Sequence, residues 1–371
     1  MQRNETRVAR LAMVASALLA GTIASKALPA MPALHYSLAD FARVRKFDAH
    51  VHINAAPEAF AALAKRDGFN LLTINVDYPD FPTIDRQAAI AETLHRAHPS
   101  QVQFATTFSM KGWGEGNWAS RTNGRLTTAI KAGAVAVKVW KNIGMIEKDA
   151  TGRLIMIDNP AFDPVIAHIM ALDVPLIGHQ GEPKNCWLPL DEMTTENDRS
   201  YFKEHPQYHI FLHPDQPSYE EQMGARDAFL ARHPALRFVG AHMASLEWSV
   251  DRLAIFFDAH PKAVVDLAAR MTQVQYQSAA DRAKVRAFFI KYQDRLMYGS
   301  DASINPTDKV RDTLRDTDNA WRSDWQYLAT PTTQNIADLK KRVQGLGLPR
   351  AVINKIYWNN AQRVYLGKGG N

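Results

Sequence analysis

The stretch Lys46-Phe47-Asp48-Ala49-His50-Val51-His52-Ile53 sets Asp48, His50 and His52 at alternate positions between apolar residues. Alternation of this kind predicts a strand with one polar face. Two imidazoles two residues apart on a strand stand side by side, close enough to share one metal ion. Asp48 is expected on the same face, as a group that orients a ligating imidazole. Other apolar runs end in residues of the same type: Gly178-His179, Gly240-Ala241-His242 and Gly299-Ser300-Asp301. Read by alternation, the inward positions are Pro175, Ile177 and His179 on one run and Met297, Gly299 and Asp301 on another. On the run before His242 they are Phe238, Gly240 and His242, with Val239 and Ala241 facing away. Four strand ends carrying such groups predict a shared metal-type site. Its ligands must come from the 13 histidines and the carboxylates, because the single Cys186 rules out a disulfide within the chain and a multi-cysteine metal knuckle.

The elements that would position these groups follow a regular rhythm. After the first strand come strand-like runs at Asn70–Tyr78, Val102–Thr107, Ala134–Trp140, Val174–His179, Leu236–His242, Ala263–Leu267 and Arg295–Ser300. Helical spacing separates them at Ile84–Arg96, Arg125–Ala132, Ala161–Leu172, Tyr219–Arg232, Leu246–His260 and Ala279–Tyr292. Strands alternating with helices predict parallel strands joined by crossovers, and eight of them suit one α/β chain segment folded as a (β/α)8 barrel. Two insertions follow strands on the side where such barrels keep their active sites. One lies near 143–158, with a β-hairpin expected over Glu147–Asp158; the other, 181–218, is a long polar loop with Trp187, His205, His209 and His213, expected to be a substrate lid.

Met1–Arg10 is basic and is followed by the apolar run Leu11–Ala24, with small residues around Ser25-Lys26-Ala27. This predicts a signal peptide over 1–27, leaving 28–371 as a single barrel domain, exported to the periplasm and without stable membrane insertion once the leader is cleaved. The formal charge of +6 falls to +3 without those residues, which hold Arg3, Arg7, Arg10 and Lys26 against Glu5. No basic tract interleaved with aromatics and no phosphate-cradling Gly-rich loop is present, so a nucleic-acid partner is not expected. A small-molecule substrate is; homo-oligomerisation is left open.

Taken together, Asp48-Ala49-His50-Val51-His52, Gly178-His179, Gly240-Ala241-His242 and Tyr298-Gly299-Ser300-Asp301 resemble the motifs of the amidohydrolase superfamily. The likeness is to its amidohydrolase-related branch, which includes aminocarboxymuconate-semialdehyde decarboxylase, resorcylate decarboxylase and lactone hydrolases. It spans Phe47 to Leu366, with Ile353–Ala361 similar to the family's closing helix. The resemblance implies a distorted (β/α)8 TIM barrel of the metal-dependent hydrolase type. It implies metal ligation by His50, His52, His179 and Asp301, and a catalytic or substrate-polarising role for His242. Three neutral imidazoles and a carboxylate suit one divalent ion, Zn2+ with Mn2+ as the alternative. Asp301 would then both touch the metal and take a proton from water. The expected reaction is hydrolysis of a small ester, lactone or amide; the alternative is non-oxidative decarboxylation or hydration, a lyase reaction.

Around that centre, Lys138 sits at an inward position of Ala134–Trp140, with Ala136 and Trp140. A buried ammonium needs a partner or a shifted pKa. Three solutions are open: a carboxylate such as Asp48 or Asp301, an acidic substrate, or carbamylation to bridge two metals. The expectation is one metal and an uncarbamylated, substrate-positioning Lys138. Arg270 is placed to clamp a carboxylate, and Lys141 and Glu182 lie at the same rim as candidate substrate contacts. Trp187 is expected either to stack on a ring or to pack the lid. Arg282, Lys284 and Arg286 are expected on a solvated helix face.

Overall fold

The computed structural model describes residues 34–367; the expected leader lies outside them. Nine parallel strands form one sheet in the order β8-β7-β6-β5-β4-β3-β2-β1-β9: β1 Lys46–Ile53, β2 Phe69–Ile74, β3 Val102–Thr107, β4 Ala136–Val139, β5 Leu176–Gly178, β6 Phe238–Gly240, β7 Val264–Asp266, β8 Leu296–Met297 and β9 Ala302–Ile304. β8 and β9 are one stave broken at 298–301. β8 pairs with β7 and β9 with β1, and between them Ala49 donates to Tyr298 O and Asp301 to His50 O, both at 2.9 Å. The eight expected staves therefore close into a distorted (β/α)8 barrel, the eighth interrupted where it carries Asp301.

Two apolar layers show which way each stave faces. Phe47, Ala49, Leu72, Ile177, Val239 and Met297 pack in one cluster, the barrel interior. Val51, Leu71, Val137, Leu176, Phe238 and Tyr298 pack in another, between sheet and helices. Ala361, Val364 and Tyr365 of the C-terminal helix Asn360–Leu366 join the interior set, with Tyr365 stacked 6.4 Å from Phe47, so this helix plugs the end of the barrel opposite the site.

Two expected facings are corrected. In β1, Asp48 does not share a face with His50 and His52. The register against β2 slips between Asp48 and Val51, where three residues span two partners. Such a bulge re-aims every side chain beyond it. Asp48 therefore points out to the helix layer, where Trp321 Nε1 donates to it at 2.7 Å, while His50 and His52 point in. In β6 the interior residue is Val239 and Phe238 faces the helices, the reverse of the alternation read from sequence.

Helices Ile84–Ala97 and Tyr219–Arg232 fall close to expectation, and Arg125–Ala132 begins earlier, at Trp118. The run expected at Ala279–Tyr292 is the helix Arg282–Lys291, which starts where the Asp281 carboxylate caps Lys284 N at 2.9 Å; a further helix, Met271–Ala280, precedes it and was not expected. Arg282 and Arg286 do not simply face water: their Nε atoms donate to Gly345 O at 2.8 Å and Leu346 O at 3.0 Å. The helix Val310–Ala329 was not legible. Its buried Trp321, Trp325 and Leu328 crowd the last turns and leave its first half polar.

The insertions also take shape. Glu147–Asp158 is reduced to a turn with one antiparallel bridge, Lys148 to Leu154. The segment 181–218 folds into short helices, the longest Glu196–Glu204, around a small core of Cys186, Met193, Phe202 and Ile210. Its histidines are structural here: His209 Nε2 donates to Leu188 O at 2.8 Å and His213 Nε2 to Pro206 O at 3.0 Å. Trp187 packs the lid, its Nε1 bonded to Pro217 O at 3.0 Å. No helix among the described residues is long and apolar enough to cross a membrane.

Candidate metal centre and active site

His50 and His52 project from the end of β1 into a chamber of about 200 Å³ that they share with Lys138, His179, His242 and Asp301. His50 Nδ1 lies 2.9 Å from Asp266 Oδ2 and His52 Nδ1 lies 2.7 Å from Ile74 O. A carbonyl and a carboxylate only accept, so both rings carry their proton on Nδ1 and offer Nε2 as a lone pair. Both Nε2 atoms lie 3.4 Å from the same oxygen, Asp301 Oδ1. Ligand atoms of these three residues all fall within 4.8 Å of one another, near enough for one ion to touch all three.

Asp301 reaches this place through strain. Its φ is 65°, a left-handed conformation that costs an ordinary side chain roughly 1–3 kcal/mol. The preceding Gly299 permits the close approach, since a Cβ there would stand 3.0 Å from His50 Cβ and 3.2 Å from Ala268 Cβ. Burial pulls the Asp301 carboxyl upward, and it is lowered well below the usual range only to the extent that the surrounding imidazoles of His242, His52 and His50 carry positive charge. Its side chain keeps 30% exposure, open to the chamber.

His179 follows β5, anchored by its amide to Val139 O at 3.0 Å. Its ring centre lies 4.2 Å from that of His242, and its buried Nε2 has no hydrogen-bond partner. A buried imidazole nitrogen without a partner in the same chamber is what a further ligand requires, although His179 stands outside the 4.8 Å group of His50, His52 and Asp301. Burial pushes the His179 ring well below its ordinary pKa, which keeps it neutral and able to ligate. His50, His52, His179 and Asp301 thus fit a divalent ion by donor type and by protonation.

His242 enters the site by a route that alternation could not forecast. Residues His242, Met243, Ala244 and Ser245 are all left-handed, with φ between 56° and 59°. This turn swings His242 inward although β6 ends in the opposite phase. The cost is offset by bonds on every side: His242 N donates to Asp266 Oδ1 at 2.8 Å, Tyr219 OH to Ser245 O at 2.5 Å, and the buried Arg226 to Ala244 O. His242 Nδ1 donates to Ala268 O at 2.9 Å, so its Nε2 is also a lone pair. Burial holds the ring well below its ordinary pKa.

Asp266 is the residue that sequence reasoning missed. It orients His50 and pins the His242 turn, and it is fully buried. Burial opposes its charge, yet His50, His242 and Lys138 bring its pKa down to about 2. The signal was available: Val264 and Asp266 alternate inward on β7 as His50 and His52 do on β1.

Lys138 does face inward. It is buried, its Nζ lies 3.4 Å from His50 Nε2, and burial lowers it to about 8 against the pull of Asp266 and Asp301. Lys141 lines the chamber, but its ammonium is ion-paired with Glu182, so this pair ties the strand-four rim to the lid base. Lys184 turns away onto the rings of Tyr219 and Trp248. Arg270 is buried behind the histidines; its one side-chain hydrogen bond among the described residues is to Ala269 O at 3.0 Å, and its Nε has none. Tyr78, Phe81 and Trp140 form an aromatic wall, and Tyr201 of the 181–218 segment joins the lining. Nothing in the spacing of the lid pointed to Tyr201.

Comparison with known proteins agrees with this architecture. The sequence model of a family described as amidohydrolase matches residues 47–366. No curated protein sequence gives a significant match. Among solved structures, 2,6-dihydroxybenzoate decarboxylase from Rhizobium aligns with TM-score 0.51 at 14% identity, over 88% of this chain and 99% of that one. The same enzyme complexed with 2,6-dihydroxybenzoate gives TM-score 0.50 at 15% identity, over 87% and 99%. A probable 2-pyrone-4,6-dicarboxylic acid hydrolase from Acinetobacter baumannii gives 0.47 at 10%, over 87% and 99%. At such identities the likeness is one of fold. The chain belongs to the amidohydrolase family and is an enzyme built on that family's distorted (β/α)8 barrel.

Proposed function

We propose that the protein is a metal-dependent hydrolase of a small ester, lactone or amide. The observation that carries this reading is Asp301: one ionised carboxylate, touching both lone-pair imidazoles of β1, with part of its side chain open to the chamber where water and substrate enter. A divalent ion held by His50, His52, His179 and Asp301, zinc by donor type with manganese the alternative, would supply Lewis acidity that lowers the pKa of water and polarises a carbonyl. Asp301 takes the proton of the attacking water as the water oxygen bonds to the acyl carbon. His242 in its neutral form presents only a lone pair at Nε2. It accepts that proton and, as the imidazolium, delivers it to the departing oxygen or nitrogen. Asp266 keeps His50 in the required tautomer and fixes the turn that aims His242. Lys138 lies beside His50 to hold negative charge developing on the substrate.

A second reading, decarboxylation of a small carboxylic acid, is favoured by Lys138, a buried cation lining the chamber that would hold a carboxylate. A panel of lactones, esters, amides and phenolic acids, assayed for acid release and carbon dioxide together, separates the two. Hydrolysis without carbon dioxide is expected. Carbon dioxide from a phenolic acid, with every ester, lactone and amide left intact, would replace the hydrolase reading by the lyase one.

A further inference from the structure

The metal chamber is not the only cavity at this end of the barrel. A second, about 270 Å³, lies against it and shares Val76, Tyr78, Phe81 and Trp140 as common wall. Small-molecule sites commonly enclose about 300–1,000 Å³. The inner chamber, about 200 Å³, falls short of that range alone, and the two together reach it.

Their linings differ in charge. The inner chamber carries Lys138, the Glu182-paired Lys141 and the carboxylate of Asp301. The outer one has no lysine or arginine in its lining; its charged groups are the half-buried Asp77 and Glu147. Glu147 Oε1 accepts from Asn142 Nδ2 at 3.3 Å, which aims the carboxylate along the rim. The wall between the chambers is aromatic, with Tyr78 centred 4.6 Å from Trp140 and 5.1 Å from Phe81. Ile146 covers the far side and is 41% exposed.

We infer that the outer chamber is the subsite for the leaving group, a flat ring bearing an amine or hydroxyl donor. The substrate is then a two-part ester or amide, its acyl part in the inner chamber beside Lys138 and its ring against Tyr78 and Trp140 with the donor turned to Asp77 and Glu147. Rings stack on aromatic faces, and the outer chamber offers a donor the carboxylates of Asp77 and Glu147, which are not claimed by the metal-type ligand set. The orientation of the substrate is thereby set by Lys138 and the metal-type ligands at one end and by the aromatic wall with Asp77 and Glu147 at the other. This assignment rests on the hydrolase reading for its term leaving group, whereas the binding of the ring does not.

The test uses tyramine and tyrosol, which share the ring and differ in the donor, titrated calorimetrically into the full-length metal-loaded protein. Saturable binding of both is expected, tyramine about fivefold tighter through the carboxylates. Ile146→Trp, at an exposed position, fills the chamber and should weaken both by about tenfold or more. Glu147→Gln should weaken tyramine alone, by about threefold. In parallel, the acetate esters of tyrosol and methanol are compared: kcat/KM for the tyrosol ester should exceed that for the methyl ester, and Ile146→Trp should erase that advantage. Absence of binding, or equal binding by wild type and Ile146→Trp, overturns the subsite. Ring binding that responds to Ile146→Trp, with neither acetate ester hydrolysed but carbon dioxide released from a phenolic acid and every lactone and amide of the panel left intact, upholds the ring subsite and overturns the hydrolase reading instead.

Discussion

Asp48 and Asp266 flank His50 on opposite sides, and both are fully buried carboxylates. Each accepts two backbone N–H groups: Asp48 from His50 and Ser300 at 3.2 and 2.9 Å, Asp266 from His242 and Ala268 at 2.8 and 3.2 Å. They differ in the third donor. For Asp48 it is the neutral indole of Trp321, and burial prevails, pushing the carboxyl up to about 6. For Asp266 it is the His50 imidazole, with Lys138 close by, and despite burial the carboxyl is held at about 2. Burial raises a carboxyl, and a titratable partner in contact is what brings it back down. The aspartate adjacent in sequence therefore fixes the backbone of β1, while the one 216 residues away serves the imidazole.

If that division is right, variants should fall in a definite order. Deleting a proposed ligand, His50→Ala or His179→Ala, should abolish both bound metal and turnover, read by elemental analysis and assay of the same preparation. Metal retained at full occupancy in either would refute the ligand set. Next comes His242→Asn, expected to keep metal and fold but lose about 10²–10⁴-fold in kcat, because it moves a proton and does not hold the ion. Loss of metal there would place His242 among the ligands.

Asp266→Asn sharpens the comparison itself. It should weaken metal affinity about 10–100-fold by releasing His50 from its tautomer, whereas Asp48→Asn should leave metal affinity within a few-fold. Equal effects in a chelator competition would dissolve the distinction between the two sides of β1. The smallest effect is one of pH, in the layer behind β1. Asp324 accepts Tyr298 OH at 2.9 Å and burial raises its carboxyl from 3.8 to about 7. The folded state binds that proton more tightly than the unfolded one, so its contribution is full below about pH 4 and is lost as pH rises through about 7. Asp324→Asn removes this loss, and its Tm relative to wild type should therefore climb between about pH 4 and 8. A pH-independent difference would mean that Asp324 is not buried as a proton-binding group.

Much of this arrangement was written in the local sequence. Alternation marks β1 to the residue, and β3 likewise, because a half-polar or uniformly β-branched run of that length has few other ways to bury its apolar face. His179, Asp301 and Lys138 face inward as their strands' parity requires. What alternation cannot carry is an extra residue. The slip between Asp48 and Val51 turns Asp48 outward, and the left-handed turn at 242–245 returns His242 to the site from a strand of the wrong phase. Both depend on bonds to distant partners, Trp321 for one and Asp266 for the other. The partnership of Lys141 with Glu182 and the place of Tyr201 in the chamber lining depend likewise on how the lid folds, which no short-range pattern records.

The most direct test of the metal centre counts ions. Lys138 lies close enough to His50 Nε2 to invite the alternative in which a carbamylated lysine bridges two metals. Elemental analysis of purified wild-type protein and of Lys138→Ala, with protein quantified by amino-acid analysis, distinguishes the arrangements. The single-ion centre predicts close to one divalent metal per chain in both, with turnover reduced only in the variant. Two metals per wild-type chain, falling sharply in Lys138→Ala and restored by a small carboxylic acid, would contradict it.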